Sequence, residues 1–342
     1  MKKLILAIIL FVIALIPASI FVVLNYLSKA TNTSIPYFPS TLLQSFKNPT
    51  LSSGFNFVML GVDPRDDQLE KTQVSDSIII GRLTQSWQIK LISIPRDLWI
   101  YSLDSKVNQI YPLSQEKIST QQSYEYIQNE FSKLTGQSVT RTLVLTTDNL
   151  IELTKIIGGV DVLQESTYTD KFYPNPEYVK NPSPKIPIYT TVVFPKGKLH
   201  LDEKNITEYV RSRKGQNEDG SGSNDPGRIQ RQQLLLEALL TKLKSPDFIS
   251  NPTNLLTLYN FWHQKIRTNI TDRDIFSLIL SGKKQLLDLN LTKTNIPAGE
   301  NPQKDILYHP KTFINKQWVY IPVDKEYQAF QEYISGFLGT QL

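Results

Sequence analysis

Hydrophobic positions along this 342-residue chain fall into two regimes. The first is one unbroken apolar run, Leu4 to Val23, with no Lys, Arg, Asp or Glu inside it. It matches the roughly 20 residues that cross a bilayer core. A secretory signal carries a shorter apolar region of about 7–15 residues before its cleavage site. Pro17-Ala18-Ser19 imitates such a site, but the run continues through Ile20–Val23. Residues 1–27 therefore read as a cytoplasmic tip and an uncleaved signal-anchor helix. Lys2 and Lys3 ahead of the span favour a cytoplasmic N-terminus. Residues 28–53, rich in Ser, Thr, Asn and Pro, read as a linker, and 54–342 as one extracytoplasmic domain.

The second regime consists of short runs with helix or strand periodicity. Residues 55–62, 77–83 and 88–94 are apolar or alternating and β-branched, which predicts three early strands with a hairpin at Ser86-Trp87. The pattern next predicts a helix over 121–134 closed by Gly136, a strand over 142–145, a helix capped by Asp148 and ending at Gly158-Gly159, and a strand over 160–163. The proline-rich segment 170–188 reads as an exposed excursion. A strand over 190–194 and a helix over 203–210 follow, then a polar, mobile loop over 214–224. Helices over 228–243 and 274–287, a strand over 318–321 and a helix over 325–337 complete the chain. Strands mixed with helices place the domain in the α/β (α+β) class: a mixed central β-sheet flanked by helices on both sides, preceded by one transmembrane helix.

Composition narrows the chemistry. Cysteine is absent, which excludes thiolate catalysis, Cys-ligated zinc and disulfides. The three histidines, His200, His263 and His309, lie far apart and in no metal-ligand spacing, against a histidine zinc site or a Ser-His-Asp hydrolase. The net charge of +5 includes Lys2 and Lys3, too small an excess to argue nucleic-acid binding.

What remains is a concentration of arginine and aspartate. Arg211 and Arg213 are followed by Asp225, Arg228, Arg231 and Gln232 around the start of a helix, with Asn224 or Asp225 placed to cap it. Planar guanidinium forks and free helix N–H groups suit phosphate oxygens. Crowded guanidiniums repel one another unless an anion sits between them, so this segment reads as half of a phosphate-binding site. Asp63 and Arg65 close the first predicted strand, Asp76 opens the second, and Arg96-Asp97 end the third. Two carboxylates at converging strand ends, without histidine or cysteine, suit a hard cation such as Mg²⁺. Taken singly these residues also fit a turn, a strand cap and a surface ion pair. The Leu stripe beyond Arg228 fits a lipid tail or a core.

The runs MLGVD (59–63), SDSIII (75–80), LISIPRDLWI (91–100), KVNQIY (106–111), GGVDV (158–162), LDEKNITEYVRSR (201–213) and DPGRIQRQQ (225–233) together resemble the LytR-CpsA-Psr family of membrane-anchored cell-wall proteins, in order and spacing over 54–245. The resemblance implies a phosphotransferase that moves a glycopolymer, such as a teichoic acid or capsule, from a polyprenyl-pyrophosphate carrier onto peptidoglycan. Carried over by motif position, Asp63 and Asp76 would hold Mg²⁺, or Mn²⁺ in its place. Arg96, Lys106, Arg211, Arg213, Arg228 and Gln232 would grip the pyrophosphate. Asp225 would orient the arginines or help activate the acceptor hydroxyl, and Arg231 fits a ligand or a structural role. Val74-Ser75 stand where the family often has arginine before the Ser-Asp pair, and Arg65 or Lys71 would compensate. Competing readings are a hydrolase of the same lipid pyrophosphate and a non-catalytic wall-binding protein using exposed aromatics. A transcription regulator would require a cytoplasmic basic reading helix, against the topology read above.

Overall fold

The computed structural model describes residues 54–63, 73–86, 88–117, 119–222, 224–275 and 289–339, with five isolated positions between 28 and 44. The anchor helix expected in 1–27 lies outside the described residues. Among those described, no helix is long and apolar enough to cross a membrane.

Ten strands matter for the site: β1 (Phe55–Val62), β2 (Ser75–Leu83), β3 (Gln88–Ser93), β4 (Val139–Thr146), β5 (Val160–Gln164), β6 (Tyr168–Pro174), β7 (Tyr189–Phe194), β8 (Gly197–Leu201), β9 (Arg267–Thr268) and β10 (Asn290–Asn295). The helices that pack on them are α1 (Thr120–Thr135), α2 (Thr147–Ile157), α3 (Ile206–Arg211), α4 (Asn224–Leu243), α5 (Pro252–Lys265) and α6 (Gln328–Leu338). Six strands form the central sheet in the order β9-β4-β1-β2-β3-β10. It is mixed: β1 runs antiparallel to β2 and parallel to β4, and β3 runs parallel to β10. Parallel pairing of β1 and β4 brings their carboxyl ends to one edge, where open α/β sheets bind ligands.

Alternation along the strands assigns the two faces. Val58, Leu60 and Val62 of β1, Ile78 and Ile80 of β2 and Ile92 of β3 pack with Ile127, Phe131 and Leu134 of α1 and Phe330, Ile334 and Leu338 of α6. The opposite face meets α4, whose buried Gln233 donates to Ser93 Oγ (3.0 Å) and Asn295 Oδ1 (2.6 Å). Helices therefore cover both sides of the sheet. A second core gathers Ile157, Val160, Val162, Tyr168, Phe194, Tyr209, Leu235 and Leu239. The Leu235–Leu239 stripe of α4 is thus packed inside the protein.

Several expectations change. Segment 170–188 is not simply an excursion: β6 pairs with β7, and Tyr168, Asp170 and Tyr173 are buried. Pro174 ends β6 and Pro176 opens a short helix, Pro176–Lys180, two places where a proline's missing N–H costs little. The start of the polar stretch 214–224 is tied down, with Gln216–Asn217 paired to β6 and Gly215 N donating to Tyr168 Oη (3.1 Å). Thr146, not Asp148, caps α2, in a capping box with Asn149. Helix α4 begins at Asn224, which puts Asp225 in its first turn. The strand expected over 318–321 shrinks to a Leu98–Tyr320 bridge and Ile321–Pro322. The helix expected over 274–287 falls largely on 276–288, outside the described residues.

Candidate active site at the carboxyl edge of the sheet

The register of β1 on β2 explains where the first aspartates go. Gly61 pairs with Ser77 but Val62 pairs with Ser75, leaving Asp76 as the extra residue of a β-bulge. A bulge re-aims the side chain it carries. Asp76 thereby turns to the edge where Asp63 follows the last residue of β1, and the two carboxylates stand on neighbouring strand ends. Arg96, just past the end of β3, donates to Asp76 Oδ1. Arg211, the last residue of α3, donates to Asp63 Oδ1, and both meet Thr147 at the start of α2 (3.3 Å from Arg211, 3.2 Å from Asp63).

Asp225 joins the distant segments. Its carboxylate lies 2.7 Å from Arg213 Nε, 3.4 Å from Arg228 Nη2 and 3.6 Å from Arg96 Nε. Arg228 also donates to the Asp76 carbonyl at 3.0 Å, locking the first turn of α4 against the bulge. Asp97 completes the network, 3.6 Å from Arg96 and 2.7 Å from Lys106 Nζ. The anions between the guanidiniums, which the sequence reading assigned to a ligand, are here the protein's own aspartates.

The electrostatics follow from burial and pairing. Arg228 is only 5% exposed. Burial lowers its pKa to about 10; Asp225 opposes this fall, and Arg213 and Arg96 add to it. Burial also opposes the charge on Arg96, yet Asp76, Asp97 and Asp225 together raise its pKa. Burial lowers Arg211. Arg96 Nε and Arg228 Nε are buried without a hydrogen-bond acceptor among the described residues. Such donors fit the oxygens of an incoming anion.

Asp63 and Asp76 also fit a hard divalent cation. Such an ion needs only one or two carboxylates and fills its shell with water and substrate oxygens. Among the described residues no larger cluster of acidic or histidine groups forms a metal cage.

Two residues do not join the cluster. Arg231 was read as a ligand or a structural residue, and its position is structural. Its guanidinium donates to the carbonyls of Tyr209 and Ser212 and stacks 4.0 Å from the Tyr168 ring centre. Gln232 spends its amide N–H on the Val210 carbonyl (3.1 Å). Arg231 and Gln232 thus brace the end of α3 and the turn after it, which carry Arg211 and Arg213. Arg65 and Lys71 lie outside the described residues.

Sequence reasoning missed the groups that hold this turn. Buried Asp170 accepts from Ser212 Oγ (2.5 Å) and from the backbone N–H groups of Arg213 (3.2 Å) and Lys214 (3.1 Å). It lay in the segment read as an excursion; Tyr168, two residues earlier and so on the same strand face, was the available signal. Thr147 and Gln233 had no signal beyond their places beside recognised motifs.

Known proteins resemble the chain in sequence and shape. A model of the LytR_cpsA_psr family matches residues 20–334. The polyisoprenyl-teichoic acid–peptidoglycan teichoic acid transferase TagU of Enterococcus faecalis is 22% identical over 231 residues, 66% of this chain and 65% of that protein. The match thus spans just under two thirds of that relative's length. The Oceanobacillus iheyensis TagU is 23% identical over 349 residues, 98% of this chain and 93% of its own. The crystal structure of Bacillus subtilis TagV shares the fold, with a TM-score of 0.55 at 18% identity, covering 83% of this chain and 97% of that one. With the family model covering most of its length, the chain belongs to the LytR-CpsA-Psr family.

Proposed function

We propose that this protein is a membrane-anchored phosphotransferase that moves a glycopolymer from a polyprenyl-pyrophosphate carrier to peptidoglycan and releases polyprenyl phosphate. The observation that carries the reading is Asp225 joined to Arg96, Arg213 and Arg228, residues brought from three separate segments to one sheet edge. The names of the TagU relatives, with a polyisoprenyl-linked donor and a peptidoglycan acceptor, support it.

In this reading the pyrophosphate displaces the aspartates from part of their guanidinium contacts. Arg96 and Arg228 offer it their buried Nε–H groups, and Arg211 and Arg213 close from the α3 side. An acceptor hydroxyl oxygen attacks the phosphorus that bears the glycan. The new P–O bond forms as the bridging P–O bond breaks, and the electron pair leaves on polyprenyl phosphate. Asp225, released from guanidinium contacts, takes the hydroxyl proton late in the transfer. Fixed charges stabilise the transferring group with little reorganisation, so the work of the site is positioning and neutralisation. Asp63 and Asp76 would hold Mg²⁺, with Mn²⁺ able to substitute, and the ion when bound supplies Lewis-acid neutralisation of phosphate oxygens. The apolar run at 4–23 would anchor the chain with its domain outside the membrane, where a lipid-borne donor resides.

The test incubates the full chain in detergent with a short lipid-pyrophosphate glycan, a peptidoglycan acceptor and Mg²⁺. Glycan joined to the acceptor is the expected product. Free glycan phosphate would replace the transferase with a hydrolase, and binding without turnover would leave a wall-binding protein. Arg96→Ala and Arg228→Ala should each abolish transfer in folded protein; activity retained in both would remove the site assignment.

A further inference from the structure

A row of aromatic rings leads away from the site through the part of the chain that no motif explained. Tyr320 is fixed at the site's edge: its N–H donates to the Asp97 carbonyl (2.9 Å) and its carbonyl accepts from Trp99 N (2.8 Å). The Trp318 ring lies 4.7 Å from Tyr320, His309 stacks 4.7 Å from Trp318 at 27°, and Phe313 lies 6.1 Å beyond His309.

The row is built outward on purpose-made backbone. Ile314 bridges Gln317, and the two residues between them, Asn315 and Lys316, both take positive φ (48° and 60°). This is the two-residue turn that twists with a hairpin, made here without glycine and therefore under strain. The register sets Phe313 opposite Trp318. Ile314 and Val319 anchor the hairpin on Trp99 and Ile321 beneath. Asn315 Nδ2 reaches Asp104 at 3.3 Å. Phe313 remains 63% exposed and Trp318 38%. The His309 ring is held too: facing a carbonyl, Nδ1 must donate its proton to Val319 O (2.9 Å), which leaves Nε2 at the other side of the ring.

We propose that Tyr320, Trp318, His309 and Phe313 form a saccharide-binding ladder that carries the glycan strand of the peptidoglycan acceptor to the site, an inference that rests on the transferase reading above. Sugar rings present apolar C–H faces edged by hydroxyls, and they stack on aromatic rings with polar tips. His309 backs Trp318 face to face and Tyr320 meets its edge, so the exposed surfaces of Phe313 and Trp318, paired across the hairpin, form a platform for consecutive pyranoses of one strand. The ladder enters the site beside Asp97 and Asp225; after burial, these two carboxylates do most to raise the Tyr320 hydroxyl, ahead of Asp305 and Glu300. That is the end where the acceptor hydroxyl gives up its proton, opposite the Asp63–Arg211 end. Phosphate-rich donor polymer would be drawn to the arginines instead.

The experiment pellets full-length protein in detergent with insoluble, glycopolymer-free peptidoglycan sacculi, and separately measures KM for acceptor and donor. The Phe313→Ala/Trp318→Ala double variant should bind sacculi about tenfold more weakly or worse, a loss of about 1.4 kcal/mol. Its acceptor KM should rise in step, with donor KM and kcat at saturation unchanged, and circular dichroism should show the domain still folded at the assay temperature. Trp318→Phe with Phe313→Tyr should restore wild-type binding. Wild-type pelleting by the double variant would overturn the proposal. A rise in donor KM alone would overturn it too, as would loss of binding to lipid vesicles in place of sacculi. Pelleting needs no turnover, so a chain that transfers nothing still decides the ladder, and a chain that transfers well with an idle ladder leaves the transferase reading standing.

Discussion

Arg228 and Arg231 sit one helical turn apart in the same motif, yet the structure gives replacement by methionine opposite consequences. Arg228 is opposed by its surroundings. Burial brings its pKa down from the ordinary arginine range to about 10. At about 1.4 kcal/mol per unit, that shift is on the order of 3 kcal/mol of stability withheld by the buried charge at neutral pH. Methionine removes this penalty, takes one guanidinium partner from Asp225 and withdraws one donor from the Asp76 carbonyl, at roughly 1–3 kcal/mol. Arg228→Met should therefore melt at or a few degrees above wild type. It should also lose transfer by a factor of about 100 or more, the usual loss for a donor to the transition-state charge.

Burial also opposes the charge of Arg231, but that side chain satisfies two carbonyls within the core. Arg231→Met strands both at roughly 1–3 kcal/mol each and loses a ring contact worth about 1–2 kcal/mol. Because such terms share one side chain and do not add fully, about 3–5 kcal/mol is expected. At about 2–3 °C per kcal/mol for a domain of this size, the melting temperature should fall by roughly 8–12 °C. Circular dichroism melts of both variants, with and without added inorganic pyrophosphate, check the contrast. Pyrophosphate should raise the wild-type melt and leave Arg228→Met unmoved. An Arg228→Met protein melting well below Arg231→Met would refute the division of roles.

Three further outcomes are expected. A Cβ at Gly227 would intrude on the Gly222 carbonyl, so Gly227→Ala must push back the loop before α4. It should cost about 1–3 kcal/mol in urea melts and, by displacing Asp225 and Arg228, a disproportionate share of activity. Burial opposes the charge of Asp274, but the hydrogen bonds from Arg141 and Thr271 outweigh it and lower the pKa below 3.8. Its contribution is therefore complete above that value and lost as pH falls through the lower folded pKa; Asp274→Asn should flatten the acid limb of the stability–pH curve. Chelation by EDTA should stop transfer, Mg²⁺ or Mn²⁺ should restore it, and Asp63→Asn with Asp76→Asn should weaken the restoring titration while leaving sacculus binding intact.

Much of the sheet edge is legible in the chain because strand alternation stops at a charge. Val62-Asp63, Ser75-Asp76 and Pro95-Arg96 each mark where a buried run meets solvent, so three site residues announce themselves. What cannot be read is pairing that depends on contacts distant along the chain. The bulge that turns Asp76 comes from a register shift against Gly61, and no local pattern encodes it. Arg228 and Arg231 share a helix face by spacing, and only the Tyr168 ring, sixty residues away, decides which of them is buried for support. Prolines in 170–188 argued for a loop and hid Asp170, because proline marks strand ends as readily as turns. The outer strands β9 and β10 were missed for a similar reason: two residues, or a polar NLTKTN run, acquire strand identity from the neighbour they pair with.

The shared counter-ion at Asp225 has a consequence for selectivity. In this network each guanidinium already has a carboxylate partner, so a visiting anion must exchange one ion pair for another and gains little net attraction. Dilute orthophosphate or sulfate, common around cells, would be poor occupants. A diphosphate bridging two arginines at once, while its tail and sugar find their own holds, can win the exchange. Resting neutrality thus works as a filter: the pocket disfavours ions with a single phosphate or sulfate group and admits a diphosphate, most of all one whose attached groups engage it in several places.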